Sequence, residues 1–157
     1  MRVKSPHLDL HESRILRLLR ENGRMPVQEI SERVGLSPTP VTRRIRALED
    51  RGVITGYTAL IDELALGYGV SVFVSVQLDR QIDRALEQFE AAIRTFPEVV
   101  DCWLMTGTRD YLLRIVTESL ANYEAFLTGR LTKVQSVSNI ESSIPIRRVK
   151  MGIARMP

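Results

Sequence analysis

The feature that most constrains this chain is a change of hydrophobic period. Up to Gly52 apolar residues recur at three- and four-residue steps, whereas Val70, Val72, Val74, Val76 and Leu78 alternate with Ser71, Phe73, Ser75 and Gln77. The first pattern turns one stripe of a helix inward and the second turns one face of a strand inward, so neither segment can adopt the other's structure without exposing its apolar set. The chain must therefore contain two successive architectures. In the first, Leu8, Ile15, Leu18 and Leu19 share a helical stripe that stops at Glu21-Asn22-Gly23. Pro26 suits the first turn of a second helix carrying Val27, Ile30 and Val34 up to Gly35. Ser37 and Pro38 then suit the N-cap and first position of a third helix, which buries Val41, Ile45 and Leu48 and ends at Arg51-Gly52. Residues 53–67 open with β-branched residues and lose their period, which predicts a short strand and a linker.

The second architecture begins with the strand over residues 70–78. Ile82, Ala85, Leu86, Phe89, Ile93 and Phe96 follow at helical spacing until Pro97 blocks continuation. Val99 to Thr106 and Tyr111 to Val116 read as a hairpin about the loop Gly107-Thr108-Arg109-Asp110. Leu120, Tyr123, Phe126, Leu127 and Leu131 predict another helix, and residues 137–149 a last strand. The order β-α-β-β-α-β is the ferredoxin-like one, an antiparallel sheet with both helices on one face. Phe73 and Trp103 are candidates for the bare face, and an apolar face left bare by a monomer predicts a dimer.

Composition narrows the function. The chain has 157 residues, 44% hydrophobic and 26% charged, which is ordinary globular usage. No run approaches the roughly 20 apolar residues of a membrane span, and Met1 to Leu10 carries no apolar run before a cleavage site, so a cytoplasmic protein is expected. One cysteine, Cys102, excludes an internal disulfide and a cysteine-rich zinc site; within an apolar strand, its thiol is expected to be buried. The net charge of +3 is uneven: residues 1–60 hold 11 Lys and Arg against 7 Asp and Glu, and residues 61–157 hold 11 against 12. A basic N-terminal third suits a polyanion, because cationic side chains release counterions condensed on phosphate.

Two short helices joined through Gly35-Leu36-Ser37 make the arrangement of a DNA-binding helix-turn-helix, whose second helix enters the major groove. With Val41, Ile45 and Leu48 turned inward, that helix presents Ser37, Pro38, Thr39, Pro40, Thr42, Arg43, Arg44 and Arg46 to differing degrees. Arginine pairs bidentately with guanine or grips phosphate, and threonine reaches base edges and thymine methyl groups. Thr39, Thr42 and Arg43 are assigned nearer the bases, Arg44 and Arg46 nearer the phosphates. A solvated basic face would give the same three arginines, so the helix is weighed together with its surroundings.

The run from Glu29 to Glu49, containing Val34-Gly35-Leu36-Ser37-Pro38-Thr39-Pro40-Val41 and Arg43-Arg44-Ile45-Arg46-Ala47-Leu48, resembles the helix-turn-helix of the Lrp/AsnC family of transcriptional regulators. Gly52-Val53-Ile54-Thr55-Gly56-Tyr57, Phe96-Pro97-Glu98-Val99-Val100-Asp101-Cys102 and Thr106-Gly107-Thr108-Arg109-Asp110-Tyr111-Leu112-Leu113 resemble further landmarks of that family, so the likeness runs from about Leu8 to Lys150. It implies an α+β protein: a winged helix-turn-helix domain over 1–54, a short strand and linker over 55–68, and a ferredoxin-like βαββαβ domain over 69–157 that binds an effector and oligomerises. It also implies double-stranded DNA as partner, a homodimer assembling further into tetramers or octamers, and an amino acid as effector, with no cofactor.

Two departures stand out. Where the family often has Pro-Gly-Val, this chain has Gln135-Ser136-Val137, and Pro145 falls inside the expected last strand, which should then be an edge or carry a bulge. For the effector, backbone N–H groups at Gly107 and Thr108 suit a carboxylate and the Asp110 carboxylate suits an ammonium; Ser136 and Ser142 are further candidates by position. An ordinary hairpin turn is the competing reading of that loop. His7 and His11 have i,i+4 spacing without a third ligand, and no nucleophile elbow or phosphate loop is present, so neither a metal site nor an enzyme is expected. The rival functions are a module that regulates an enzyme by protein contact, which leaves the helix after Ser37 unexplained, and a sequence-neutral architectural DNA protein.

Overall fold

The computed structural model describes residues 7–79 and 83–150. The chain divides into two compact units at Leu60/Ile61, the second running Ile61–Val149. Each has its own core.

The first unit holds three helices: α1 (Leu10–Glu21), α2 (Val27–Val34) and α3 (Pro38–Asp50). Ile15, Ile30, Val41 and Leu48 are completely buried between them, so the three stripes anticipated from spacing meet in one core. α1 begins two residues later than Leu8 because Asp9 caps it: the Asp9 carboxylate accepts the Glu12 N–H at 2.8 Å, and Glu12 accepts the Asp9 N–H in return. Ser37 holds the N-cap position of α3 without a side-chain bond, and Pro26 is the N-cap of α2 instead of a residue within its first turn. The strand expected after Gly52 does not form. The Val53 and Ile54 N–H groups both turn back onto the Leu48 carbonyl at 2.9 and 3.1 Å, closing the C-terminus of α3, and their side chains pack on the core. The linker then carries only a single 3₁₀ turn, Leu64–Leu66.

In the second unit the elements are β1 (Val70–Leu78), α4 (Asp83–Ile93), β2 (Val99–Leu104), β3 (Tyr111–Thr117), α5 (Leu120–Gly129) and β4 (Val137–Ser143). Ile82, expected to open the first of these helices, lies outside the described residues. The sheet is antiparallel in the order β2-β3-β1-β4, which is the ferredoxin-like arrangement. Val72, Val74, Val76 and Leu78 face a core shared with Leu113, Ile115, Phe89, Tyr123 and Phe126, so both helices cover one face.

The strand register puts Phe73, Ser75 and Gln77 on the other face, beside Leu112 and Arg114 of β3, Asp101 and Trp103 of β2, and Glu141 of β4. Phe73 and Trp103 therefore lie where the alternation placed them. Arg114 holds the linker to this face: its guanidinium donates to both Glu63 carboxylate oxygens at 3.0 Å and to Asp101 at 3.2 Å.

Two expectations are corrected. β4 ends at Ser143, so Pro145 follows the strand and does not interrupt it; the edge position holds, and the pairing slips between Gln77 and Leu78. Cys102 is exposed, because β2 is the outer strand and its core-side positions extend past the helix cover. Partial desolvation, reinforced by Glu90, still pushes its thiol above the ordinary range.

Candidate nucleic-acid interface and effector loop

The turn between α2 and α3 is closed by backbone. Gly35 adopts φ 72°, a left-handed conformation that disfavours other residues, and the Gly35 and Leu36 N–H groups both donate to the Ser31 carbonyl at 3.0 and 3.1 Å. Leu36 packs onto the core below. The direction of α3 is thereby fixed relative to α2.

Pro38, Thr39, Thr42, Arg43, Arg46, Ala47 and Asp50 line one shallow concavity along the outer side of α3. Thr39, Arg43 and Arg46 are exposed, and Thr42 Oγ1 donates to the Pro38 carbonyl at 3.0 Å, which orients its methyl group. Pro40 is half-buried. Arg44 behaves differently from the other arginines. It lies beside the buried stripe of Val41 and Leu48, is 26% exposed at its side chain, and forms an ion pair with Asp9 at the start of α1. Arg51 repeats the device about two turns later, donating to Glu12 at 2.8 Å. The bond from the Glu12 N–H, with Arg44 alongside, holds the Asp9 carboxyl below its usual range.

The hairpin loop is anchored as firmly. Asp110 is 5% exposed; its Oδ2 accepts the Leu78 N–H at 2.7 Å, its own N–H donates to the Val76 carbonyl, and its carbonyl accepts the Met105 N–H. Asp110 is therefore a loop anchor, and the expectation of a carboxylate offered to a ligand's ammonium meets a buried group already bonded to backbone. Gly107 takes φ 113° and stands exposed with Thr108 at the tip. Ser136 sits close by in the fold: its carbonyl accepts the Asp79 N–H at 2.8 Å, one residue beyond the strand position that Asp110 holds. Ser142 is not brought there. It pairs with Val74 further along the sheet, and its hydroxyl bonds the Tyr123 hydroxyl of α5.

Arg109 has a role that residue content did not reveal. From the loop it crosses the bare face, donating to Gln77 Oε1 at 3.2 Å and to Glu141 at 2.8 Å. The signal was the parity of β1, which places Gln77 on that face.

Comparison with known proteins agrees with both units. Residues 8–55 match the model of a winged helix-turn-helix DNA-binding domain, and residues 71–154 match that of the Lrp/AsnC ligand-binding domain. The chain belongs to the Lrp/AsnC family. Among its curated relatives are the Bkd operon transcriptional regulator of Pseudomonas aeruginosa, 43% identical over 94% of this chain and 96% of the relative, and the leucine-responsive regulatory protein of Rhizobium meliloti, 41% identical over 91% and 92%. A Neisseria meningitidis transcriptional regulator solved with L-Met superposes with a TM-score of 0.88 at 36% identity, covering 92% of this chain and 94% of that one. As a member of the Lrp/AsnC family the protein is a transcriptional regulator with an N-terminal DNA-binding domain and a C-terminal ligand-binding domain. No helix among the described residues is long and apolar enough to cross a membrane.

Proposed function

We propose that this regulator reads a palindromic operator through α3 of two protomers and alters that binding when an amino acid occupies the region of the hairpin loop. The observation that carries the DNA half is the outer strip of α3, where Thr39, Thr42, Arg43 and Arg46 lie together with Pro38 while the apolar residues face the core. Thr39, Thr42 and Arg43 read bases and Arg46 holds phosphate; Ser37, Pro38 and Pro40 shape the entry of the helix. Arg44 acts by fixing α3 against α1.

The effector half is supported by the matched ligand-binding domain and by the relative solved with L-Met. Gly107 and Thr108 offer backbone N–H groups to the ligand carboxylate, Asp110 and Ser136 hold the loop in place, and Ser142 braces β4 against α5. The bare sheet face pairs two protomers, and further association gives tetramers or octamers. Two readers on a two-fold axis demand half-sites about 10 base pairs apart or a multiple of that. The protein acts in the cytoplasm, without a cofactor and without catalysis.

The test is a polarisation titration with DNA upstream of the protein's own gene, against scrambled duplex, with and without each of a panel of amino acids. Selective binding that one amino acid shifts supports the reading; equal affinity for both duplexes sinks the specific-operator part. An amino acid should shift affinity by the equivalent of about 1–3 kcal/mol, and DNA should shift the amino acid's affinity by the same factor.

A further inference from the structure

The loop after α3 comes back to the helix it leaves. The Val53 and Ile54 N–H groups turn the chain at the Leu48 carbonyl, and Tyr57 then returns to α3, where its hydroxyl donates to Glu49 Oε1 at 2.9 Å. The ring lies over Gly23, where even a methyl group would meet Tyr57 Cδ1 at 3.5 Å. Desolvation, reinforced by Glu49, raises the phenol above its ordinary range, so the hydroxyl keeps its proton and stays a donor at neutral pH.

Glu49 stands three residues after Arg46, the arginine read as a phosphate contact. Side chains at that spacing are neighbours on a helix surface, and a glutamate without another partner there competes with DNA for the guanidinium. In this structure the competition is removed. The Glu49 carboxylate is bonded to Tyr57, Arg46 lines the outer concavity with Thr42 and Arg43, and Glu49 is not among the residues that line it. Among the described residues Arg33, Arg44 and Arg51 each pair with a carboxylate, whereas Arg46 pairs with none. Asp50, four residues after Arg46, does line the concavity, but its side chain is one methylene shorter and leaves the guanidinium unpaired.

We propose that Tyr57 is a positioning residue for DNA binding: by holding the Glu49 carboxylate it keeps Arg46 available to a phosphate. The phenol does not itself touch DNA, and its effect passes through two side chains of α3. This rests on the reading that Arg46 grips phosphate.

The experiment measures the affinity of the full chain for DNA upstream of its own gene and for scrambled duplex over a series of salt concentrations. Tyr57→Phe keeps the ring over Gly23 and removes only the donor. It should weaken binding to both duplexes by the same factor and lower the slope of log affinity against log salt by about 0.9, the loss of one phosphate contact. Tyr57→Phe combined with Glu49→Gln should regain the wild-type slope, because an amide has no charge to offer Arg46; Glu49→Gln alone should keep it. A merely structural role for the phenol would lower the melting temperature and would not be rescued by a change at Glu49. Arg46→Ala tells the two readings apart. If it lowers the slope while Tyr57→Phe does not, or if Glu49→Gln fails to restore the slope of Tyr57→Phe, the proposal is overturned and the reading of Arg46 stands. If Arg46→Ala leaves the slope unchanged, Arg46 is not a phosphate contact and the proposal falls with that reading.

Discussion

Arg44, in the middle of α3, pairs with Asp9, the residue that caps α1. One carboxylate thus ends one helix and positions another: Oδ1 accepts the Glu12 N–H while Oδ2 meets the guanidinium. The arginine most buried among the three on α3 serves the domain's geometry, and the two exposed ones take no part in that pair.

Asp9→Ala should accordingly cost about 1–2 kcal/mol of stability in the first unit, the upper part of the range for losing an N-cap, measured by urea unfolding. The pH dependence has a definite sign. A carboxyl whose folded value is lowered stabilises above its unfolded value, near 3.8, and that contribution disappears as pH falls through the lower folded value. Wild type and variant should therefore converge in stability on acidification below about pH 4; divergence there would refute the role given to this carboxyl.

Arg43→Ala and Arg44→Ala should separate cleanly. The first should reduce operator affinity by about 1–3 kcal/mol and relax base preference, with the melting temperature nearly unchanged. The second should lower the melting temperature and leave base preference alone. Reversal of the two patterns in paired binding and melting measurements would reassign the residues.

Ser136 takes φ 72°, the one non-glycine residue with a positive φ among the described residues. Left-handed backbone costs a residue with a Cβ roughly 1 kcal/mol, so Ser136→Gly should raise stability by about 0.5–1 kcal/mol. Ser136→Val, β-branched at the same φ, should lower it by more than 1 kcal/mol, approximately. The urea midpoints of the three proteins decide it.

Asp110→Ala leaves the Leu78 N–H without its buried acceptor and should destabilise the second unit by about 1–3 kcal/mol. The ligand response should fall with it, since the loop carrying Gly107 and Thr108 loses its anchor. Calorimetry on the variant with and without the best amino acid checks both; full stability with lost response would return Asp110 to the role of direct ligand partner.

Trp103 is 44% exposed on the bare sheet face. Trp103→Glu should shift sedimentation toward the monomer, because a carboxylate there would be desolvated by a second copy without a partner. An unchanged sedimentation coefficient would move the dimer contact off this face.

The fold was largely legible because period and punctuation agreed. Val72, Val74 and Val76 alternate with residues of the other face, and Gly35 falls where α2 stops, whereas α4 ends at Ile93, four residues before Pro97. What escaped were matters of who bonds whom across the fold. That Val53 and Ile54 cap α3 instead of starting a strand depends on one carbonyl, Leu48, being within reach. The separation of Arg44 from Arg43 and Arg46 was implicit in helical geometry, since position 44 flanks the stripe of 41, 45 and 48, but its partner Asp9 lies 35 residues away. The exposure of Cys102 turns on β2 being an outer strand, which alternation within one strand does not disclose.

The two cores share no buried residue: Ile15, Ile30, Val41 and Leu48 belong to one, Val72, Phe89, Leu113 and Phe126 to the other. Heat or mutation can then melt the first while the second keeps its packing. On the proposed pairing of copies through the second unit, a subunit whose first core is lost, as by Leu48→Ala, would in a cell carrying two alleles still enter mixed assemblies and disable the half-site it occupies, so such lesions would be genetically dominant, whereas lesions of the second core would be recessive.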